Sequence, residues 1–203
     1  MSETVTVIDL LRHGEPIGGR RFRGSLDDPL STLGWAQMWA AVGEHCPWEA
    51  IVSSPLSRCA AFAQALAERY ALPLEIEPEL REIGFGAWEG RTAAEIDAAT
   101  PEVLGRFWRD PLHHPPPDGE PLPRFQVRVT GAWIDLLERH AGRHLLIVGH
   151  GGMIRMVLRH VLEMPLTRLW RLEIPYGALS RVRVYGRGAT AEPLLVFHAG
   201  SLA

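Results

Sequence analysis

Short apolar runs that stop at polar or glycine-rich corners constrain this chain more than any other feature. Val5–Leu11, Ala50–Ser53 and Leu145–Val148 are bounded by turn residues and read as strands buried on both faces. Leu172–Ile174 reads as a fourth. Val182–Tyr185 and Leu194–Phe197 read as later strands of more antiparallel character. Between them lie helical patterns. Ser31–His45 carries Trp35, Met38, Trp39 and Val42 at helical spacing, and Pro55–Tyr70 follows a Ser54-Pro55 start suited to an N-cap and first turn. Arg124–His140 places Phe125, Val129, Trp133, Leu136 and Leu137 on one stripe, and Gly152–Leu162 closes before Met164-Pro165. Strands alternating with helices predict an α/β fold around a mostly parallel sheet.

The rhythm breaks between about Leu80 and Pro123. Short helices are expected there at Thr92–Ala99 and Glu102–Asp110, followed by the proline-rich run from His113 to Gly119. The reading is one domain over residues 1–203, with an inserted cap-like segment at about 83–123. With 203 residues, 46% hydrophobic and 22% charged, the chain can bury one sizeable core. Trp35, Trp39, Trp108 and Trp133 are expected in it. Cys46 and Cys59 form no CxxC pair and read as buried free thiols in helices. Met1–Leu11 has no basic n-region, and no apolar stretch approaches the ~20 residues of a membrane span, so a cytoplasmic protein without a membrane partner is expected.

All 21 positive charges are arginine, and the sequence has neither lysine nor asparagine. That excludes a lysine Schiff base, a Walker-type phosphate loop with its lysine, and an N-glycosylation sequon. The net charge of −3 argues against a nucleic-acid partner, so an anionic substrate must be drawn by a local arginine cluster. His45, His140, His144, His160 and His198 show no metal-ligand spacing, and neither metal nor cofactor is assigned.

Three apolar runs end in telling residues: Arg12-His13-Gly14-Glu15, Ser53-Ser54-Pro55-Leu56-Ser57-Arg58 and Gly149-His150-Gly151-Gly152. Parallel sheets bind ligands beyond the carboxyl ends of their strands. If the three strands are neighbours, Arg12, His13, Arg58 and His150 meet in one positive site, and phosphoryl is the obvious occupant. Phosphoryl transfer needs positioning and donors aimed at the equatorial oxygens, which arginine forks supply. Neutral His13 can act as the nucleophile, held by its other ring nitrogen on a backbone carbonyl. Gly151 lies at the helix start expected to offer free N–H groups to the anion. A leaving alkoxide also needs a proton, and the donor is expected to be Glu82, in Leu80-Arg81-Glu82-Ile83-Gly84-Phe85-Gly86-Ala87-Trp88-Glu89-Gly90. Arg20, Arg21, Arg23 and His113 are further candidates for substrate contact.

Taken in order, these motifs resemble the histidine phosphatase, or phosphoglycerate-mutase-like, superfamily. Arg12-His13-Gly14 matches its signature, with His13 at the phosphorylated position. Ser54–Arg58 matches its second arginine motif, Glu82 its acid/base, Gly149–Gly152 its second histidine, and Asp27–Gln37 a supporting stretch. The resemblance implies a three-layer sandwich with one antiparallel edge strand, and a metal-independent phosphomonoesterase acting on a small phosphorylated metabolite through phosphohistidine. The stretches Arg12–Pro16 and Arg23–Leu30 are most similar to alpha-ribazole phosphatase-type members. A departure accompanies them: the asparagine that many members carry after Arg-His-Gly is missing, and Gly18, Gly19, Arg20 and Arg21 occupy the stretch. A backbone N–H, water or an arginine must then serve as third donor. The alternatives are a phosphoglycerate mutase-type transferase and a phosphate-ester-binding regulator without turnover.

Overall fold

The computed structural model describes residues 4–202. Six strands form one sheet in the order β3-β2-β4-β1-β5-β6: β1 Val5–Arg12, β2 Ala50–Ser53, β3 Leu74–Ile76, β4 His144–Gly149, β5 Leu179–Tyr185 and β6 Glu192–Gly200. β1 to β4 are parallel; β5 runs against β1 and pairs on its other side with β6. Helices α1 Thr32–Val42, α2 Ser57–Tyr70, α3 Ala93–Ala99, α4 Val103–Arg109, α5 Leu122–Arg139 and α6 Gly151–Val161 complete the fold.

Alternation along the strands splits the core in two, because successive side chains leave opposite faces. Ile8, Leu10, Val52, Leu145 and Ile147 pack with Phe125, Val129 and Trp133 of α5 and Ile154 and Val157 of α6. Leu11, Ile51, Leu146 and Val148 pack with Met38 and Val42 of α1 and Phe62 and Leu66 of α2. The result is three layers. Phe85, Trp88, Ile96, Leu104 and Phe107, from the stretch that breaks the strand–helix rhythm, join the first of these clusters. On the α1/α2 side, buried Asp9 accepts hydrogen bonds from Trp48 Nε1 (2.8 Å) and Arg181 Nε (2.8 Å) and lies 2.9 Å from His144 Nε2. It thereby ties β1, β4 and β5 together.

Several elements differ from the sequence expectation. Leu172–Ile174 is no strand: it leaves a 3-10 turn, Leu166–Arg171, and spends its carbonyls on arginines, Leu172 O on Arg155 and Ile174 O on Arg12. β3 was not expected; a three-residue strand in the short stretch between Pro73 and Pro78 carries too little pattern to stand out. α2 begins at Ser57 rather than Pro55, its first turn fixed by Asp27 Oδ1, which accepts from Ser57 N–H at 2.7 Å and from its hydroxyl at 2.8 Å. α1 stops at Gly43, which adopts φ 56°, so Cys46 lies half-buried in the following loop while Cys59 is buried in α2. Trp108 is 43% exposed rather than in the core. Among the described residues, no helix is long and apolar enough to cross a membrane.

Candidate active site

Strand register gathers the motifs. Arg12 is level with Gly149 across β1 and β4, and Ser53 is level with Val148 across β2 and β4. The chain leaving each strand stays zipped to its neighbour: His13 N–H donates to Gly149 O at 2.9 Å and Ser54 N–H to Val148 O at 3.0 Å. Arg12, His13, Ser54 and His150 therefore reach one carboxyl edge of the sheet. The turn after β1 is tight because Gly14 lies directly on Gly34 of α1; a Cβ on Gly14 would stand 2.0 Å from Gly34 O.

His13 is 5% exposed, and its Nδ1 lies 2.7 Å from Gly14 O. A carbonyl only accepts, so Nδ1 carries the hydrogen, and in the neutral ring Nε2 keeps its lone pair. Burial, followed by the Arg12 and Arg58 charges, holds the His13 pKa well below 6.5. The His150 ring stands 5.2 Å from that of His13, fully buried, with Nε2 2.7 Å from Ser54 Oγ. Its pKa is likewise well below 6.5, through burial and then Arg58.

Both arginines are fixed by backbone. Arg58, fully buried, donates to Leu26 O at 2.7 Å and Gly24 O at 3.0 Å. Arg12 donates Nη1 to Ile174 O and lies 4.1 Å from the Tyr176 ring centroid. Among the described residues, the Nε of each has no hydrogen-bond partner. Glu82 is placed through main-chain donors: Gly152 N–H reaches Oε2 at 2.8 Å and Ile83 N–H reaches Oε1 at 3.0 Å. Gly152 permits this, since a Cβ there would meet Oε1 at 2.3 Å. Arg128 of α5 holds the same loop, donating to Arg81 O at 2.8 Å and Glu82 O at 3.0 Å while pairing with Glu120.

These groups open onto a cleft of about 1380 Å³, lined by Arg12, His13, Glu82 and Gly151. Arg58 and His150 are fully buried beside this lining and are not themselves among the residues that line it. Arg20 and Arg21 line it as well, Arg21 anchored on Gly90 O at 2.8 Å. Arg23 reaches the cleft but spends its guanidinium on Asp28 (2.6 Å), Gly19 O and Ile17 O, so it braces its loop. His113 departs from expectation: its side chain is exposed, pairs with Asp110 at 2.8 Å, and does not line the cleft.

Sequence reasoning missed Ser54, read as a helix cap but placed on His150. It also missed Arg155 and Tyr176, and the aromatic wall where Trp108 stacks on Phe22 at 6.0 Å and meets Trp170 edge-on at 5.2 Å. The Pro175-Tyr176-Gly177 turn was the available signal for Tyr176. Among the described residues, no group of three or more His, Cys, Asp or Glu side chains is placed to hold a metal ion.

Comparison with known proteins fits this geometry. A glucosyl-3-phosphoglycerate phosphatase of Mycolicibacterium vanbaalenii is 34% identical over 189 residues, covering 87% of this chain and 83% of the relative. An adenosylcobalamin/alpha-ribazole phosphatase of Salmonella typhimurium is 29% identical over 191 residues, covering 91% and 94%. The solved structure of a mycobacterial glucosyl-3-phosphoglycerate phosphatase superposes with a TM-score of 0.85 at 28% identity, covering 97% of this chain and 99% of that one. The chain spans about half the length (54%) of mycobacterial relatives 35% identical over 197 residues, one of them a bifunctional protein of Mycobacterium tuberculosis. The family model for the histidine phosphatase superfamily (branch 1) matches residues 8–194, across every motif gathered at the sheet edge, and the chain belongs to that superfamily.

Proposed function

We propose that the protein is a metal-independent phosphomonoesterase that works through a phosphohistidine on His13. The observation that carries this reading is the His13 ring: Nδ1 held on Gly14 O, Nε2 free, and the pKa held low by burial and two guanidiniums. Nε2 attacks phosphorus as the ester P–O bond breaks, and protonated Glu82 gives its proton to the leaving oxygen. Glu82, now a carboxylate, takes a proton from water as the water oxygen attacks phosphorus. The P–N bond breaks and its electron pair returns to Nε2. Arg12, Arg58, His150 and the start of α6 at Gly151 offset the charge on the phosphoryl oxygens. The segment at about 83–123 acts as a cap within a single domain, supported by Phe85, Trp108 and Arg109 lining the cleft. The substrate is a small phosphorylated metabolite, and alpha-ribazole phosphate and glucosyl-3-phosphoglycerate are the first two to assay.

Rapid acid-free quenching during turnover should trap enzyme-bound phosphate that is alkali-stable and acid-labile, in wild type and not in His13→Ala. His13→Ala should also lose more than about a hundredfold in turnover of p-nitrophenyl phosphate. An acid-stable phospho-enzyme, or turnover abolished by chelator, overturns the mechanism.

A further inference from the structure

The charge lining the cleft exceeds what one phosphoryl group needs. Eight arginines line it against two glutamates, in a chain whose net charge is −3. Carboxylate partners are few at this wall: Glu82 is held by main-chain N–H groups, and Glu173 is the other acid lining it. Of the arginines lining it, only Arg23 is paired with a carboxylate among the described residues.

One group of these cations comes from outside the strand-end motifs that gather the phosphoryl machinery. Arg168 and Arg171 come from the 3-10 turn Leu166–Arg171, are exposed, and line the cleft on either side of Trp170. Arg155 reaches the same wall from α6, with its guanidinium 5.4 Å from the Trp170 ring centroid and its Nε donating to Leu172 O. Its Nη1 lies 3.1 Å from the point where a Cβ on Gly151 would stand, and Arg12 Nε lies 3.2 Å from that same point. Two guanidiniums thus crowd one spot at the start of α6. Solvation does not explain Arg155, whose burial lowers its pKa to about 10 and leaves it charged at neutral pH.

We propose that Arg155, Arg168 and Arg171 form a subsite for a second anionic group of the substrate, a carboxylate or a second phosphate carried by the alcohol. Guanidinium forks pair bidentately with either group. The inference rests on the phosphomonoesterase reading only for where the first anion sits.

The test compares esters that differ by one anion. Dissociation constants are measured by calorimetry on His13→Ala for glycerol 3-phosphate against 3-phosphoglycerate, and for fructose 6-phosphate against fructose 1,6-bisphosphate. At least one doubly anionic member should bind about tenfold or more tightly than its partner. Preference for 3-phosphoglycerate assigns a carboxylate; preference for the bisphosphate assigns a phosphate. Adding R168Q/R171Q, or R155Q, should shrink the preference to about threefold or less, while R183Q, exposed on β5 away from the cleft, should preserve it. Equal affinities within both pairs, or a preference that survives R168Q/R171Q, overturn the subsite. Failure of the wild type to hydrolyse any of the four esters or p-nitrophenyl phosphate sinks the phosphatase reading instead, and the affinity ratios still decide the subsite.

Discussion

His13 carries its ring hydrogen on Nδ1 because Gly14 O, 2.7 Å away, can only accept, and its conjugate acid is weakened by burial and then by Arg12 and Arg58. Ordinary histidine titrates near 6.5; this one is held well below that. An NMR titration of the free protein should place the His13 midpoint well below that of an ordinary histidine, and a midpoint at 6.5 or higher contradicts the site as described. Arg12, His13, Arg58 and His150 stood out in the sequence because each sits in a short motif at the end of an apolar run, and Glu82 because it sits in the short loop motif Leu80–Gly90. Ser54, Arg155 and Tyr176 did not. A serine after a strand also suits a helix cap, an arginine within α6 reads as a solvated face, and neither pattern shows that the register of β2 and β4 brings Ser54 to His150.

At the scale of elements, the loops are aligned by single side chains that collect backbone donors. Glu89 accepts N–H bonds from Gly24 (2.9 Å), Leu26 (3.2 Å) and Phe85 (2.8 Å). The carbonyls of Gly24 and Leu26 in turn hold Arg58. Glu89→Ala should therefore cost roughly 1–3 kcal/mol of stability, from part-buried donors left without acceptors, and raise the KM for phosphate esters by about tenfold. Denaturant titration and steady-state kinetics check both, and an unchanged KM rules out the link to Arg58. Gly152 gives a second test, since a methyl there would stand 2.3 Å from Glu82 Oε1. Gly152→Ala and Glu82→Gln should both slow esters of poor leaving groups by about 100-fold or more, and aryl esters much less. Equal losses on both ester types would remove Glu82 from the acid/base role. Long, strongly patterned elements such as β1, α5 and α6 were readable, whereas Leu172–Ile174 misled. Its apolar run has the composition of a strand, but its carbonyls are taken by Arg12 and Arg155, leaving no ladder to join.

For the molecule as a whole, acid should act through the two site histidines. Both have folded pKa values well below the unfolded value near 6.5. Below 6.5 the unfolded chain binds more protons than the native one, so stability is fullest above that pH and is lost as pH falls toward the folded values. Asp9, also lowered in the native state, extends the loss below pH 4. Urea midpoints should therefore fall between pH 7.5 and 5.5, and His150→Gln should flatten that slope; a midpoint independent of pH across this window contradicts the burial described. The Gly14–Gly34 contact carries a different lesson, about transplanting parts. A Cβ on Gly14 would lie 2.0 Å from Gly34 O, and a Cβ on Gly34 would lie 2.2 Å from Glu15 O. The reactive corner and the first turn of α1 are consequently one inseparable component, and an engineer who moves the Arg-His-Gly corner to another scaffold must carry the glycine twenty residues downstream along with it.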